Sequence, residues 1–267
     1  MTEWLYGPES MTWKINRESV LLLGGRAALL MQLAHPLVAA GVADHSDFQS
    51  DPVKRFRRTL DVTYRVVFGD IETAQQAAAG IRKGHERVKG IAPDGRPYAA
   101  DDPQLLLWVH STLIDAAVSV FEAAVARLSL EDSARYYAET KVFAELMGIP
   151  RQYVPATLED MRAGMAARIA GGEVEVGDQA RELAGPILRP LKLIPSVLAT
   201  RTALITSALL PPAIREGYGL RLGRADKAVI AVGQRASRAV LPRMPQAIRS
   251  FPAARLAARV MSLSSPS

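Results

Sequence analysis

Between Pro103 and Leu128 apolar side chains recur at 106, 109, 113, 117, 120 and 124. That spacing follows the 3.6-residue period of an amphipathic helix and predicts the most regular core helix of the chain. Asp102-Pro103 supplies its start, a capping carboxylate followed by a proline at the first helical position. The same reading predicts a helix over 52–68, opened by Asp51-Pro52 and closed by Gly69, and another over 71–88 capped by Asp70. Further helices are expected over 131–147, ending at Gly148 before Pro150, over 158–170, capped by Thr157 and ended by Gly171-Gly172, and over 224–241. Upstream, Asn16 is placed as the N-cap of a long apolar helix with Glu18 in its first turn, kinked near Pro36. Residues 1–15 hold Trp4, Tyr6 and Trp13 without helical period, which predicts an arm packed on the body. The turn sequence at 93–97 suits a small hairpin, and 174–176 is at most an edge strand. Prolines at 186, 190, 195, 211 and 212 are expected to break the next stretch into short helices, and Pro242, Pro245 and Pro252 segment the tail. With no repeat and no linker, the pattern predicts one all-α domain over 1–267, with 16–170 as its core and 171–267 wrapped around it.

Composition supports helices: 49% of residues are apolar and only 6% aromatic. The chain has no cysteine, which excludes disulfides, thiolate zinc sites, iron–sulfur clusters, a cysteine nucleophile and covalent c-type haem attachment. The apolar run 27–43 nearly reaches a membrane span, but Gln32, His35 and Pro36 interrupt it; Arg189, Lys192 and Arg201 interrupt 186–212 in the same way. The first residues lack a signal-peptide pattern, so a soluble, cytoplasmic protein is expected. Charge is uneven. Residues 201–267 hold eleven Lys/Arg against Glu216 and Asp226, a net +9, which leaves −3 for the rest of a chain of +6. Such a tail suits peripheral contact with an anionic membrane surface, or is simply a solvated helical face. Nucleic acid is not expected as a partner, because only Tyr218 and Phe251 are available there for base stacking.

Four histidines are present, His35, His45, His85 and His110, and none forms the i, i+4 pair of a helical zinc site. His45 with Asp44 and Asp47 could hold a divalent ion or form a solvated, capped loop. Positions 74, 77, 78, 81, 85 and 88 make one stripe of Ala, Ile, His and Val, which puts His85 on an apolar face, either as a satisfied core residue or as a ligand. His110 lies beside the stripe of the 103–128 helix and admits the same two readings. Arg55 and Thr59 project one helical turn apart; buried, they would offer a cation and a hydroxyl to an anion or an oxygen species, and exposed, a basic turn with Lys54, Arg57 and Arg58. Gly24-Gly25 sits within a helix pattern, so it reads as a close helix contact. No nucleophile-elbow, P-loop or dinucleotide motif appears in a fitting context.

Several segments resemble the MpaB-type oxygenase family, which includes the latex-clearing rubber oxygenases. They are RAALLMQLAHPLVAAGVADHSDF, DPVKRFRRT, VFG, IRKGHERVKG, YAADDPQLLLWVHSTL, and YYAE followed by GIP, in order over 17–160, with LPPAIREGYGL extending the likeness. The resemblance implies a globin-like helical domain with a pocket for non-covalent haem b, and dioxygen chemistry on a small lipophilic, isoprenoid-like substrate. It makes His85 the proximal iron ligand and Arg55 and Thr59 the distal pair. Arg58 stands where rubber oxygenases carry a lysine, and His35 and His110 are further candidates for the haem surroundings. Rubber oxygenases also use a distal carboxylate on the preceding helix, where this chain reads LVAAGVA; Asp44 and Asp47 are the nearest acids. The resemblance therefore implies an oxygenase without implying polyisoprene as its substrate. The alternative is a non-enzymatic helical protein that binds haem or lipid and docks to membranes through its basic tail.

Overall fold

The computed structural model describes residues 3–45, 52–188 and 196–264. Among the described residues the fold is all-α apart from one hairpin, as the hydrophobic period predicts. Its axis is α6 (Pro103–Ala124), capped by the Asp102 carboxylate, which accepts the Gln104 N–H. α2 (Gly25–Leu33), α7 (Leu130–Leu146), α8 (Leu158–Ala170) and α12 (Arg224–Val240) all pack on α6, as does a 3-10 segment, Ser19–Gly24. Gly24 is where the 3-10 segment meets α6: a β-carbon there would sit 3.0 Å from Val120 and 3.3 Å from the Ala116 carbonyl. The expectation of a close helix contact at Gly24 is met.

The N-terminal region differs from its expected form. Residues 11–16 are not an irregular arm but a short helix, α1 (Met11–Asn16), capped by Ser10, whose hydroxyl accepts the Trp13 N–H. Asn16 closes this helix rather than opening the next; its amide donates back to the Thr12 carbonyl. The expected long helix is divided into the 3-10 segment, α2 and α3 (Pro36–His45), and the chain bends by 102° at Pro36. Such a break deprives carbonyls at the end of α2 of helical partners. The Trp108 indole donates to the Met31 carbonyl, and the Leu30 carbonyl, which already accepts the Ala34 N–H, also accepts the Tyr218 hydroxyl. A break was legible in the sequence; the side chains that satisfy it, far along the chain, were not.

α4 (Pro52–Phe68) and α5 (Ile71–His85) are joined through Gly69 and Asp70 and pack on one another. Asp70 caps α5 by accepting the Thr73 N–H at 2.8 Å. α5 stops at His85, three residues short of the expected end, because the chain turns at once into strand β1 (Lys89–Ile91), paired antiparallel with β2 (Pro97–Ala99). Gly90 lies opposite Tyr98, and a β-carbon there would collide with the Tyr98 ring. The expected edge strand at 174–176 is absent; the stretch is irregular, with Val174 and Val176 buried in the core.

The remainder runs through α9 (Asp178–Leu188), α10 (Ser196–Leu209), α11 (Pro212–Gly217) and α12 to α13 (Gln246–Arg249) and α14 (Pro252–Ser264). Pro186 does not break α9, which continues through it for two more residues. Before α14 the tail is strapped to the N-terminal region. The Phe251 N–H donates to the Arg17 carbonyl at 2.9 Å, Ser19 Oγ donates to the Arg249 carbonyl at 2.6 Å, and buried Glu18 lies 3.5 Å from both Arg17 and Arg249. α14 then covers Trp13, Val67 and Phe68 with Ala254 and Ala257.

Among the described residues, α6 alone is long and apolar enough to cross a membrane, and half of its apolar window is buried in the protein. Asp51, Arg189 and Lys192, invoked above as a cap and as breaks, lie outside the described residues.

Candidate functional site

Two chambers lie end to end along α6. The first, of about 130 Å³, is walled by α1, the 3-10 segment, α2, α4, α6 and α7, and Phe251 of the tail contributes to it. Its α6 wall comprises His110, Leu113, Ile114, Ala116 and Ala117. The second, of about 180 Å³, uses the preceding turns of the same helix, Leu105, Leu106 and Val109, facing α3, the end of α5 and the hairpin. Gln32 is on the wall of both. This explains why Val109, Leu113 and Ala117, core positions by period, are only half-buried: their stripe faces the chambers.

The candidate residues are distributed between them. His85 is on the wall of the second chamber, as the last residue of α5, and His45 is there as well. Thr59 and His110 are on the wall of the first. Arg55 falls on α4, but its side chain lies outside the described residues. Arg58, one residue before Thr59, is exposed. His35 lines neither chamber: it is buried at the corner between α2 and α3, with Nε2 3.6 Å from Glu173 and its ring 6.2 Å from that of Trp108. The geometry gives it a structural place at the bend.

Of the acids near α3, Asp44 is described and is hydrogen-bonded to the hairpin. Asp44 accepts a hydrogen bond from the Tyr98 hydroxyl, and His45 Nε2 meets the Lys89 carbonyl at 3.1 Å with its ring edge-on to Tyr98. Asp47 lies outside the described residues. Among the described residues no group of three or more His, Asp or Glu side chains is placed to hold a metal ion. A haem makes a different demand: a nitrogen donor able to hold its iron, in an apolar slot. His85 on an apolar wall meets it in donor type. Each chamber alone falls below the roughly 300–1,000 Å³ usual for larger ligands, and together they reach its lower end.

Among the described lining residues of the first chamber none carries a formal charge. Burial alone pushes the His110 imidazole down to about 4, so it is neutral at physiological pH; its ring stacks on Phe143 at 5.9 Å. Burial likewise raises the Tyr64 and Tyr136 hydroxyls well above the usual phenol range.

Sequence reasoning missed Gln32, Tyr64 and Tyr98 as wall residues. Gln32 was visible only as a polar interruption of an apolar run, and that interruption was the available signal. Tyr64 is five residues beyond Thr59 and Tyr98 sits in the hairpin; neither spacing marks a site without the fold.

A family model described as "ER-bound oxygenase mpaB/B'/Rubber oxygenase, catalytic domain" matches residues 13–260. No curated protein and no solved structure matches the chain.

Proposed function

The chain belongs to the family of mpaB-type and rubber oxygenase catalytic domains, and from that membership we propose that it is a haem b-dependent oxygenase acting with dioxygen on a small lipophilic substrate. Membership in an oxygenase family makes it an enzyme of that general class; the haem and the substrate are our reading. The observation that carries it is His85 on the wall of an apolar chamber. A bound haem would supply an iron centre able to activate dioxygen.

The chain's own residues have separable tasks. The His85 imidazole would hold the iron. Val38, Val42, Leu105, Leu106 and Val109 keep water from the second chamber and favour an apolar ligand. Thr59 offers a hydroxyl on the first chamber, and Arg55, one turn earlier on α4, is the candidate cation for an anionic or oxygen ligand. Asp44 is already engaged by Tyr98, so the described residues offer no free carboxylate in the place of the rubber oxygenases' distal acid. A substrate other than polyisoprene fits this difference.

The test is a visible spectrum of the purified protein. A Soret band is expected in the wild type, lost or shifted in His85→Ala and kept in His110→Ala, with far-UV circular dichroism unchanged in both. Absence of the band after haem loading would sink the haem reading; the reverse pattern in the two variants would move the iron-holding residue to α6. Arg55→Ala should keep the band and alter cyanide binding.

A second reading has its own observation. α12 has no buried residue, exposes Val229, Val232 and Val240, and carries Arg224, Lys227, Arg235 and Arg238. This favours a cytoplasmic protein that touches anionic membranes peripherally, and allows a haem or lipid binder without turnover. Oxygen uptake with a panel of apolar alkenes separates enzyme from binder.

A further inference from the structure

We propose that the first chamber is a binding site for a small neutral molecule with an apolar body and one oxygen function, an alcohol or a carbonyl compound. The inference rests on three polar atoms that the protein leaves without partners. Thr12 Oγ1, Tyr64 Oη and His110 Nε2 are each buried and lack a hydrogen-bond partner, and all three residues are on the wall of this one chamber.

The other polar side chains of that wall set the contrast. Thr63 donates to the Thr59 carbonyl, Thr140 to the Tyr137 carbonyl and Gln32 to Thr112 Oγ1, while Asn16 donates to the Thr12 carbonyl and also bonds Tyr136. Buried polar groups in folded proteins are nearly always paired, so three orphans on one cavity imply an occupant that pairs them. The rest of the wall is aliphatic or aromatic, including Leu29, Leu113, Ile114 and Phe143. Such a wall selects a hydrocarbon body.

The chemical class follows from the inventory. Two hydroxyls can each donate and accept, and a neutral imidazole nitrogen does one or the other according to tautomer. An alcohol offers both roles, and a carbonyl accepts from either hydroxyl. A carboxylate or an ammonium would lose its hydration on entering this largely apolar space, whereas a neutral oxygen function loses far less. Size also bounds the ligand: the chamber's volume of about 130 Å³ is close to that of roughly 150 Å³ cavities that accept benzene. The competing occupant is ordered water, which fills polar cavities of this kind.

The site is argued from the chamber's own atoms and does not depend on haem, so it is read by ligand titration and not by the Soret band. Calorimetric titration at pH 7 with toluene, benzyl alcohol and benzoate compares one ring bearing no, one neutral and one charged oxygen function. Benzyl alcohol is expected to bind about tenfold tighter than toluene, and benzoate at least as much weaker than the alcohol. Tyr64→Phe and Thr12→Val should each weaken the alcohol about fivefold and leave toluene within about twofold. Ala117→Phe, which fills the chamber, should abolish binding of both. Equal affinity for alcohol and toluene, or no binding of either to the folded wild type, would assign the chamber to water and overturn the proposal. The wild-type comparison stands even if a variant fails to fold, and retention of binding in a folded Ala117→Phe variant would place the ligand elsewhere.

Discussion

The side-chain amide of Gln32 donates to Thr112 Oγ1 at 3.2 Å, and Gln32 is the side chain shared by the chamber of His85 and the chamber of Thr59. Both partners are buried, and Thr112 keeps a second bond to the Val109 carbonyl. Gln32→Leu therefore removes one hydrogen bond while keeping the bulk, and should cost less than about 1.5 kcal/mol. Gln32→Ala joins the chambers and should cost about 2–4 kcal/mol through the space it opens. Urea unfolding at pH 7 measures both; an Ala variant as stable as the Leu variant would show that Gln32 is not a packed partition.

Acid should weaken the fold through His110. Its folded pKa of about 4 lies below the roughly 6.5 of an unfolded chain. A depressed histidine contributes stability that is complete above the unfolded value and is lost as pH falls toward the folded one. The slope between those limits approaches about 1.4 kcal/mol per pH unit. His35, lowered chiefly by burial and partly restored by Glu173, adds to the same trend. Urea midpoints taken from pH 7.5 to 4.5 should fall in the wild type and fall less steeply in His110→Phe.

The hairpin should be sensitive at Gly90. A methyl group there meets the Tyr98 ring, so Gly90→Ala must push that ring off its seat, where its hydroxyl donates to Asp44. A loss of about 1–3 kcal/mol is expected, against about 1 kcal/mol for Tyr98→Phe, which removes only the hydroxyl. Thermal melts of the two variants order them; a neutral Gly90→Ala would mean that Tyr98 moves aside freely.

The strap of the tail should fail when Glu18 loses its charge. The carboxylate sits between Arg17 and Arg249 at 3.5 Å from each, and its pKa is raised by burial, with the two guanidinium groups opposing that rise. Glu18→Gln leaves two guanidinium groups without a counterion in a shielded place, and about 1–3 kcal/mol should be lost. Limited trypsin digestion should then cut at Arg255 or Arg259 well before the helices around α6 are attacked. Unchanged cleavage times would detach Glu18 from the tail.

Local signals made α4, α6, α7, α8 and α12 legible: an apolar period in α4, α6 and α12, and for most of the five a cap or stop in sequence. Asp70 and Thr157 cap as expected, the latter reciprocally with Asp160. What was not legible depends on distant partners. The bend at Pro36 is held by Trp108 and Tyr218, and α5 ends early because the hairpin draws the chain away. At the site, the stripe carrying His85 was legible as an apolar face and the stripe of α6 as a core face; that both reach chamber walls was not legible. The division of that space by Gln32, and the three unpaired polar atoms on one side of it, arise from five or more elements meeting, which no single periodicity records.

Phe251, on the wall of the first chamber, is held there by the Arg17 carbonyl. Its position in the chain has a consequence for biosynthesis. A ribosome delivers α1 through α12 before it delivers this ring, so a nascent bundle can assemble with that wall still open. A ligand entering at that stage meets a cleft, and arrival of Phe251 then seals it. Loading during translation and loading of the finished protein are therefore different kinetic problems, and chains cut before Phe251 should exchange small ligands far faster than the full-length protein.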